Sequence, residues 1–274
     1  MRTSIVLLIA LLGACTGDMG GVADAGLPAG DGFGPAPLPD GVTPYAGESV
    51  VYAHSASALY RVDPGTLAVT AVGAFRWPGN ADQMTDIALD RQGRMTGISF
   101  TAVYSVDPKT AACTYLAPLQ VPGGGGTFCG LSYIAVQAAD AKEILVAAAA
   151  NGALYEIDPQ TGQSKPLGSF GGGLGASGDL VSVKGLTLAT VKSSASATDW
   201  LARVDPLTGK ATLIGDTGFT DVFGLGFWKD RVYGFTDGMR FILIDPKTGK
   251  AALAATSAAT WWGAGVTTSA PVIE

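Results

Sequence analysis

Runs of alternating apolar and polar residues recur along the chain, and five of them stop at the same dipeptide. The runs are Leu59-Tyr60-Arg61-Val62, Val103-Tyr104-Ser105-Val106, Leu154-Tyr155-Glu156-Ile157, Leu201-Ala202-Arg203-Val204 and Phe241-Ile242-Leu243-Ile244. Each leads into Asp-Pro, beginning at Asp63, Asp107, Asp158, Asp205 and Asp245. Runs rich in β-branched and aromatic residues, most of them alternating with a polar one, predict strands. Asp-Pro predicts where they stop. Proline presets φ for a turn, and the aspartate carboxylate accepts from backbone N–H groups two or three residues on. Thr66, Thr110, Thr161, Thr208 and Thr248 are placed to add a hydroxyl bond. Gly162, Gly209 and Gly249 follow where a positive φ is expected.

Each signature sits inside a larger unit. A return strand follows it, as in Ala211-Thr212-Leu213-Ile214-Gly215, and a strand ending in a small residue precedes it, as in Leu145-Val146-Ala147. Before that lies an innermost strand, marked by Asp86-Ile87-Ala88-Leu89, Gly130-Leu131-Ser132-Tyr133, Asp179-Leu180-Val181-Ser182 and Gly224-Leu225-Gly226-Phe227. The Asp-Pro pairs are 44, 51, 47 and 40 residues apart, the period of a four-stranded propeller blade. The first unit, starting at Gly47, lacks an innermost strand, and Trp262-Gly263-Ala264-Gly265-Val266-Thr267 follows the last full unit. An all-β, five-bladed β-propeller is therefore expected over residues 47–274, closed by pairing of the C-terminal strand into the first blade.

Composition narrows the function classes. Charged residues make up 15% of the chain and the net charge is −6. An acidic chain with no basic run is a poor nucleic-acid binder, and no nucleic-acid partner is expected. One histidine and three cysteines argue against a multi-ligand zinc or haem site, and no metal or cofactor is expected.

The first fifteen residues, MRTSIVLLIALLGAC, place Arg2 before a ten-residue apolar run from Ile5 to Ala14. That run is far short of the ~20 residues of a spanning helix and reads as an export signal. Leu12-Gly13-Ala14-Cys15 resembles the bacterial lipobox. The resemblance implies cleavage after residue 14, acylation of the Cys15 thiol and membrane attachment through it. Thr16, rather than aspartate, follows the cysteine, which by the same resemblance implies the outer membrane of a Gram-negative cell, facing periplasm or cell surface. Residues 15–46 are rich in Gly, Ala, Pro and Asp, and read as a flexible tether with an r.m.s. reach of roughly 30 Å.

The LYxIDPxTG unit resembles the blade repeat of secreted bacterial β-propellers, the broad group of YVTN-type and quinoprotein-like repeats. The resemblance implies the architecture and leaves activity open. Quinoprotein blades carry a docking tryptophan after the TG, and no blade here has one in register.

Candidate chemistry is sparse. Asp86, Asp179 and Asp221 lie at or just before innermost strands, where three carboxylates are positioned to face one another at the channel mouth. Solvated loop carboxylates are the plainer reading. The aromatics Phe128, Phe219, Phe223, Trp261 and Trp262 mark the same mouth as a candidate binding surface, with packing between blades as the alternative. His54, the single histidine, reads as a surface or strand-end residue, with no nucleophile motif beside it. Gly123–Gly126 and Gly171–Gly173 read as connecting loops, since neither is followed by a helix or a Lys-Ser/Thr pair. Once Cys15 is lipidated, Cys113 and Cys129 remain, and an oxidising compartment favours a disulfide between them, two buried thiols being the alternative. The function these features suggest is a lipid-anchored envelope interaction module that binds a protein or glycan through a propeller face. The alternative is a hydrolase or lyase with an acidic site at the channel mouth.

Overall fold

The computed structural model describes residues 51–121, 127–135 and 142–272. The export signal, the tether and the Gly123–Gly126 run lie outside the described residues. The fold is a five-bladed β-propeller of antiparallel four-stranded sheets. From axis to rim, the second blade runs β4 (Asp86–Leu89), β5 (Met95–Ile98), β6 (Ala102–Val106) and β7 (Cys113–Pro118). The third runs β8 (Phe128–Ala135), β9 (Glu143–Ala149), β10 (Ala153–Ile157) and β11 (Ser164–Ser169). The fourth comprises β12 (Gly175–Val183), β13 (Leu186–Lys192), β14 (Trp200–Val204) and β15 (Ala211–Asp216). The fifth comprises β16 (Val222–Trp228), β17 (Arg231–Thr236), β18 (Arg240–Ile244) and β19 (Ala251–Thr256). The first blade takes β1 (Val51–His54), β2 (Ala58–Val62) and β3 (Val69–Ala74) from one end of the described chain and its inner strand β20 (Gly263–Val266) from the other.

The Asp-Pro turns form as their residues dictate. Asp63 Oδ1 accepts from the N–H groups of Gly65 at 2.7 Å and Thr66 at 3.0 Å. Asp107, Asp205 and Asp245 repeat the pair of bonds, and Asp158 makes the first of them. The threonine hydroxyl accepts from the residue two positions on in four blades. The next residue has positive φ in all five turns: 67° at Gly162, 74° at Gly209, 72° at Gly249, but also 59° at Leu67 and 54° at Ala111. The first two blades therefore hold an L side chain where the other three have glycine, a conformation costing roughly 1–2 kcal/mol. Glycine is needed at 209 for a second reason. A Cβ there would lie 2.5 Å from Leu154 Cδ1 and 3.0 Å from Ser169 N, both in the preceding blade.

The apolar core lies between blades. Leu59 and Phe75 of the first blade pack with Ile87, Met95 and Tyr104 of the second. Ile98 and Val103 of the second meet Phe128, Leu131 and Leu145 of the third. Third and fourth blades share Ile134, Val146, Leu180 and Val191, and the last cluster runs from the fourth blade through the fifth to Val51 and Tyr60 of the first. At the rim, each outer hairpin shifts register once, a bulge that twists the outer strand away from further pairing.

The ring closes as the pattern predicts. β20 pairs antiparallel with β1, from Val51↔Val266 to His54↔Gly263, and lies between β16 and β4 at the axis. Beyond β20 the chain crosses the lower end of the ring, where the inner strands finish. Lys184 N–H donates to Thr268 O, Lys229 N–H to Pro271 O, and the Thr267 and Ser269 hydroxyls donate to the carbonyls of Asp90 and Arg91. Residues 267–272 thus tie four blades together across that end.

Candidate functional site

Five inner-strand positions share one level on the axis: Gly263, Asp86, Gly130, Asp179 and Gly224. Each precedes a residue paired with the small-residue position of its neighbouring strand, as Ile87 with Gly97 and Leu131 with Ala147. Three glycines let the backbones converge. A Cβ on Gly130 would lie 2.9 Å from Asp179 Cα, and one on Gly224 would lie 2.7 Å from the Gly263 carbonyl carbon. The two aspartates fill the space between.

Asp179 acts as a hub. Its Oδ1 accepts from Leu180 N–H at 2.6 Å and Leu131 N–H at 3.3 Å, and its Oδ2 accepts from Leu225 N–H at 2.8 Å. One carboxylate thereby binds inner strands of the third, fourth and fifth blades. Asp86 Oδ1 accepts from Ile87 N–H at 2.8 Å, and its Oδ2 is buried without a hydrogen-bond partner. His54 completes the group. Its Nδ1–H donates to Ser55 O at 2.8 Å, which leaves Nε2 as a bare acceptor 3.6 Å from Asp86 Oδ1. All three side chains are 0% exposed. Burial raises both carboxyls above the ordinary range, and for Asp86 the Asp179 charge adds to the effect. Burial also lowers the imidazole from 6.5 to about 4, against the raising effect of the Ser55 bond. The histidine is therefore neutral at physiological pH.

This arrangement corrects three expectations. Asp86 and Asp179 come together, but inside the ring, away from the channel mouth and from any solute. Asp221 does not join them. It sits before β16 at φ 56°, 45% exposed at its side chain, with Lys192 Nζ 4.0 Å away. His54 does end its strand, yet it is buried rather than on the surface, because pairing with β20 sets it opposite Gly263. A Cβ on Gly263 would collide with Asp86 Oδ1 and His54 Nε2. Another buried acid, Asp199, carries no signal in the sequence. Its Oδ2 accepts from Val222 N–H at 2.8 Å and anchors the start of β16. Among the described residues no group of three His, Cys, Asp or Glu side chains is arranged to hold a metal ion.

The aromatics divide. Phe128 is 3% exposed and packs against Tyr155, with ring centroids 5.5 Å apart. Trp261 is fully buried and wedges between Tyr60 at 5.0 Å and Phe235 at 5.4 Å. Neither belongs to the mouth. Adjacent residues on an extended chain point oppositely, so Trp262 turns outward. It is half-buried, as are Phe219 and Phe223, and its ring meets Phe100 edge-on at 6.4 Å. Phe100, in the turn between β5 and β6, is 40% exposed and was not singled out from the sequence, since a lone aromatic beside a turn carries no periodic signal. Phe100, Trp262 and Phe223 border the upper end, where the inner strands begin.

Cys113 is a free buried thiol, and burial pushes it up to about 12. It packs with Phe75, Met84 and Ala111, whereas Cys129 packs with Leu154 and Phe170 in another cluster. The expected Cys113–Cys129 bridge is not formed, because the two side chains face different interblade cores.

No protein-family model matches the chain, and no curated protein matches it. Solved structures resemble it distantly. BamB from Moraxella catarrhalis is 18% identical with a TM-score of 0.35, over 76% of this chain and 61% of that one. An auxiliary nutrient binding protein from Bacteroides ovatus is 13% identical with a TM-score of 0.44, over 74% and 53%. The computationally designed Ika8 protein is 15% identical with a TM-score of 0.36, over 80% and 63%. The chain thus spans little more than half to three-fifths of the length of these structures. Likenesses of this size carry no argument about what it binds.

Proposed function

We propose that the protein is an envelope interaction module, attached to the membrane through Cys15, that engages a protein or glycan at its upper face. The observation that carries this reading is the contrast along the axis. The interior is filled by buried, hydrogen-bonded side chains, the lower end is crossed by residues 267–272, and Phe100 stands open beside Trp262 at the upper end. Exposed aromatic rings suit stacking on sugars or capture of an apolar side chain. The LYxIDPxTG resemblance to secreted propellers and the lipobox at Leu12–Cys15 support an exported, anchored setting.

The test captures ligands from envelope fractions and on a glycan array, using wild type and the Phe100→Ala, Trp262→Ala double variant. Retention by wild type and loss by the variant support the reading. Equal retention by both places binding elsewhere and refutes it. Intact mass with and without reductant addresses the anchor. A thioether at Cys15 adds acyl mass that reductant leaves in place, whereas a Cys15 held in an internal disulfide gives an intact chain that gains the mass of two hydrogens on reduction and carries no lipid there, which contradicts the anchor.

A further inference from the structure

We propose that the lower end of the ring is a membrane-facing surface that rests on anionic phospholipid headgroups and so turns the upper face away from the bilayer. The choice of partner rests on the reading of Cys15 as a lipid anchor. The path of the chain points the lower end toward that anchor. Val51 lies opposite Val266, at the end of β1 where the inner strands finish. The segment leading back to Cys15 therefore joins the ring at its lower end, on the side crossed by residues 267–272.

Charge agrees with that direction. The turns that meet residues 267–272 hold acids inward and cations outward. Arg94 is 80% exposed at its side chain, and its Nε lies 2.6 Å from the carboxylate of Asp90, which is 5% exposed. Asp90 is occupied further by the N–H groups of Gln92 and Arg94. Arg91 is 32% exposed and lies 3.3 Å from Glu143, which is 7% exposed. Glu143 also accepts from Arg91 N–H and from the Thr268 hydroxyl. Lys142, beside Glu143, and Lys184, in the turn between β12 and β13, are exposed. Lys229 and Arg231 flank Asp230, an exposed acid, in the turn between β16 and β17. Among the described residues, the exposed charged groups around this end are therefore mainly cationic, although the chain carries −6.

Shape selects a surface rather than a small anion. Thr267-Thr268-Ser269-Ala270-Pro271-Val272 crosses the ring there and is uncharged. The cations border this covered end instead of converging on a pocket. Dispersed lysine and arginine suit a layer of phosphates. Each one near an anionic bilayer strengthens the contact about fivefold, and salt screens the attraction.

The experiment floats the full-length, cell-processed protein with vesicles of phosphatidylcholine alone or of an equimolar mixture with phosphatidylglycerol. Acylation of Lys184 by a water-soluble active ester is then compared with that of the exposed rim lysines Lys210 and Lys247. Wild type is expected to float with both vesicles and to shield Lys184 only on the mixed ones, the shielding being lost at ~0.5 M salt. Arg94→Gln with Lys142→Gln is expected to weaken that contact about 25-fold, and Lys142→Gln alone, which leaves the Arg94–Asp90 pair intact, about fivefold. Failure to float with phosphatidylcholine, joined to salt-sensitive flotation with the mixture that the double variant loses, refutes the anchor and still supports the surface. Equal Lys184 reactivity on the two vesicles, shielding that the variants keep, or flotation with neither overturns the proposal.

Discussion

The five turn aspartates and the two axial aspartates use one side chain in opposite ways. At the rim, Asp107 and Asp205 are solvated, and backbone N–H bonds hold both below the usual carboxylate range. At the axis, Asp179 accepts more such bonds, yet burial outweighs them and raises it. Hydrogen bonding shapes both environments, and access to water decides the sign. The rim device is local, complete within five residues, and repeats. The axial device is assembled from inner strands of four blades together with the end of β1, and occurs once.

Breaking the axial side first gives the largest effects. Trp261→Ala empties the wedge between Tyr60 and Phe235 and is expected to cost about 3–5 kcal/mol in urea unfolding. Gly263→Ala drives a methyl into Asp86 and His54, with an expected loss of about 1–3 kcal/mol. His54→Gln tests the polarity of the axis. A histidine lowered to about 4 contributes stability present above pH 6.5 and lost as pH falls through about 4. Wild type is therefore expected to lose stability relative to His54→Gln on acidification through that window, read from paired unfolding curves. Equal acid responses would show that the imidazole does not stay neutral in the folded ring.

The rim responds less. Gly209→Ala places a methyl against Leu154 at positive φ and is expected to cost about 1–2 kcal/mol. Ala111→Gly makes the reverse change in the second blade. Relief of strain and loss of a buried methyl oppose each other there, so a change within about 1 kcal/mol is expected in the same assay. A large loss at Ala111 would mean that the two turns are not equivalent.

Legibility in the sequence follows the same division. Asp-Pro-x-Thr is contiguous, so its turns, the blade period and the missing first inner strand can all be read from spacing. The axial group cannot. His54 and Asp86 come from different blades, and their contact depends on β20 completing the first blade from the far end of the chain. The closure was predicted, but its register, which sets Gly263 opposite His54, is a matter of atomic fit. Phe128 and Trp261 are open to both readings, mouth and interblade packing, because a strand pattern gives alternation without saying which face meets the next blade. Cys113 and Cys129 looked like partners because spacing in sequence says nothing about which interblade core each one enters.

The central claim is a division of labour, with structure held at the axis and recognition at the upper face. Its most direct test is the affinity of one captured ligand for three full-length proteins at neutral pH: wild type, Phe100→Ala with Trp262→Ala, and Asp86→Asn. The account predicts that the aromatic variant loses binding at least tenfold while Asp86→Asn, when folded, binds as wild type does. Loss of binding in folded Asp86→Asn with the aromatic variant unaffected would contradict it.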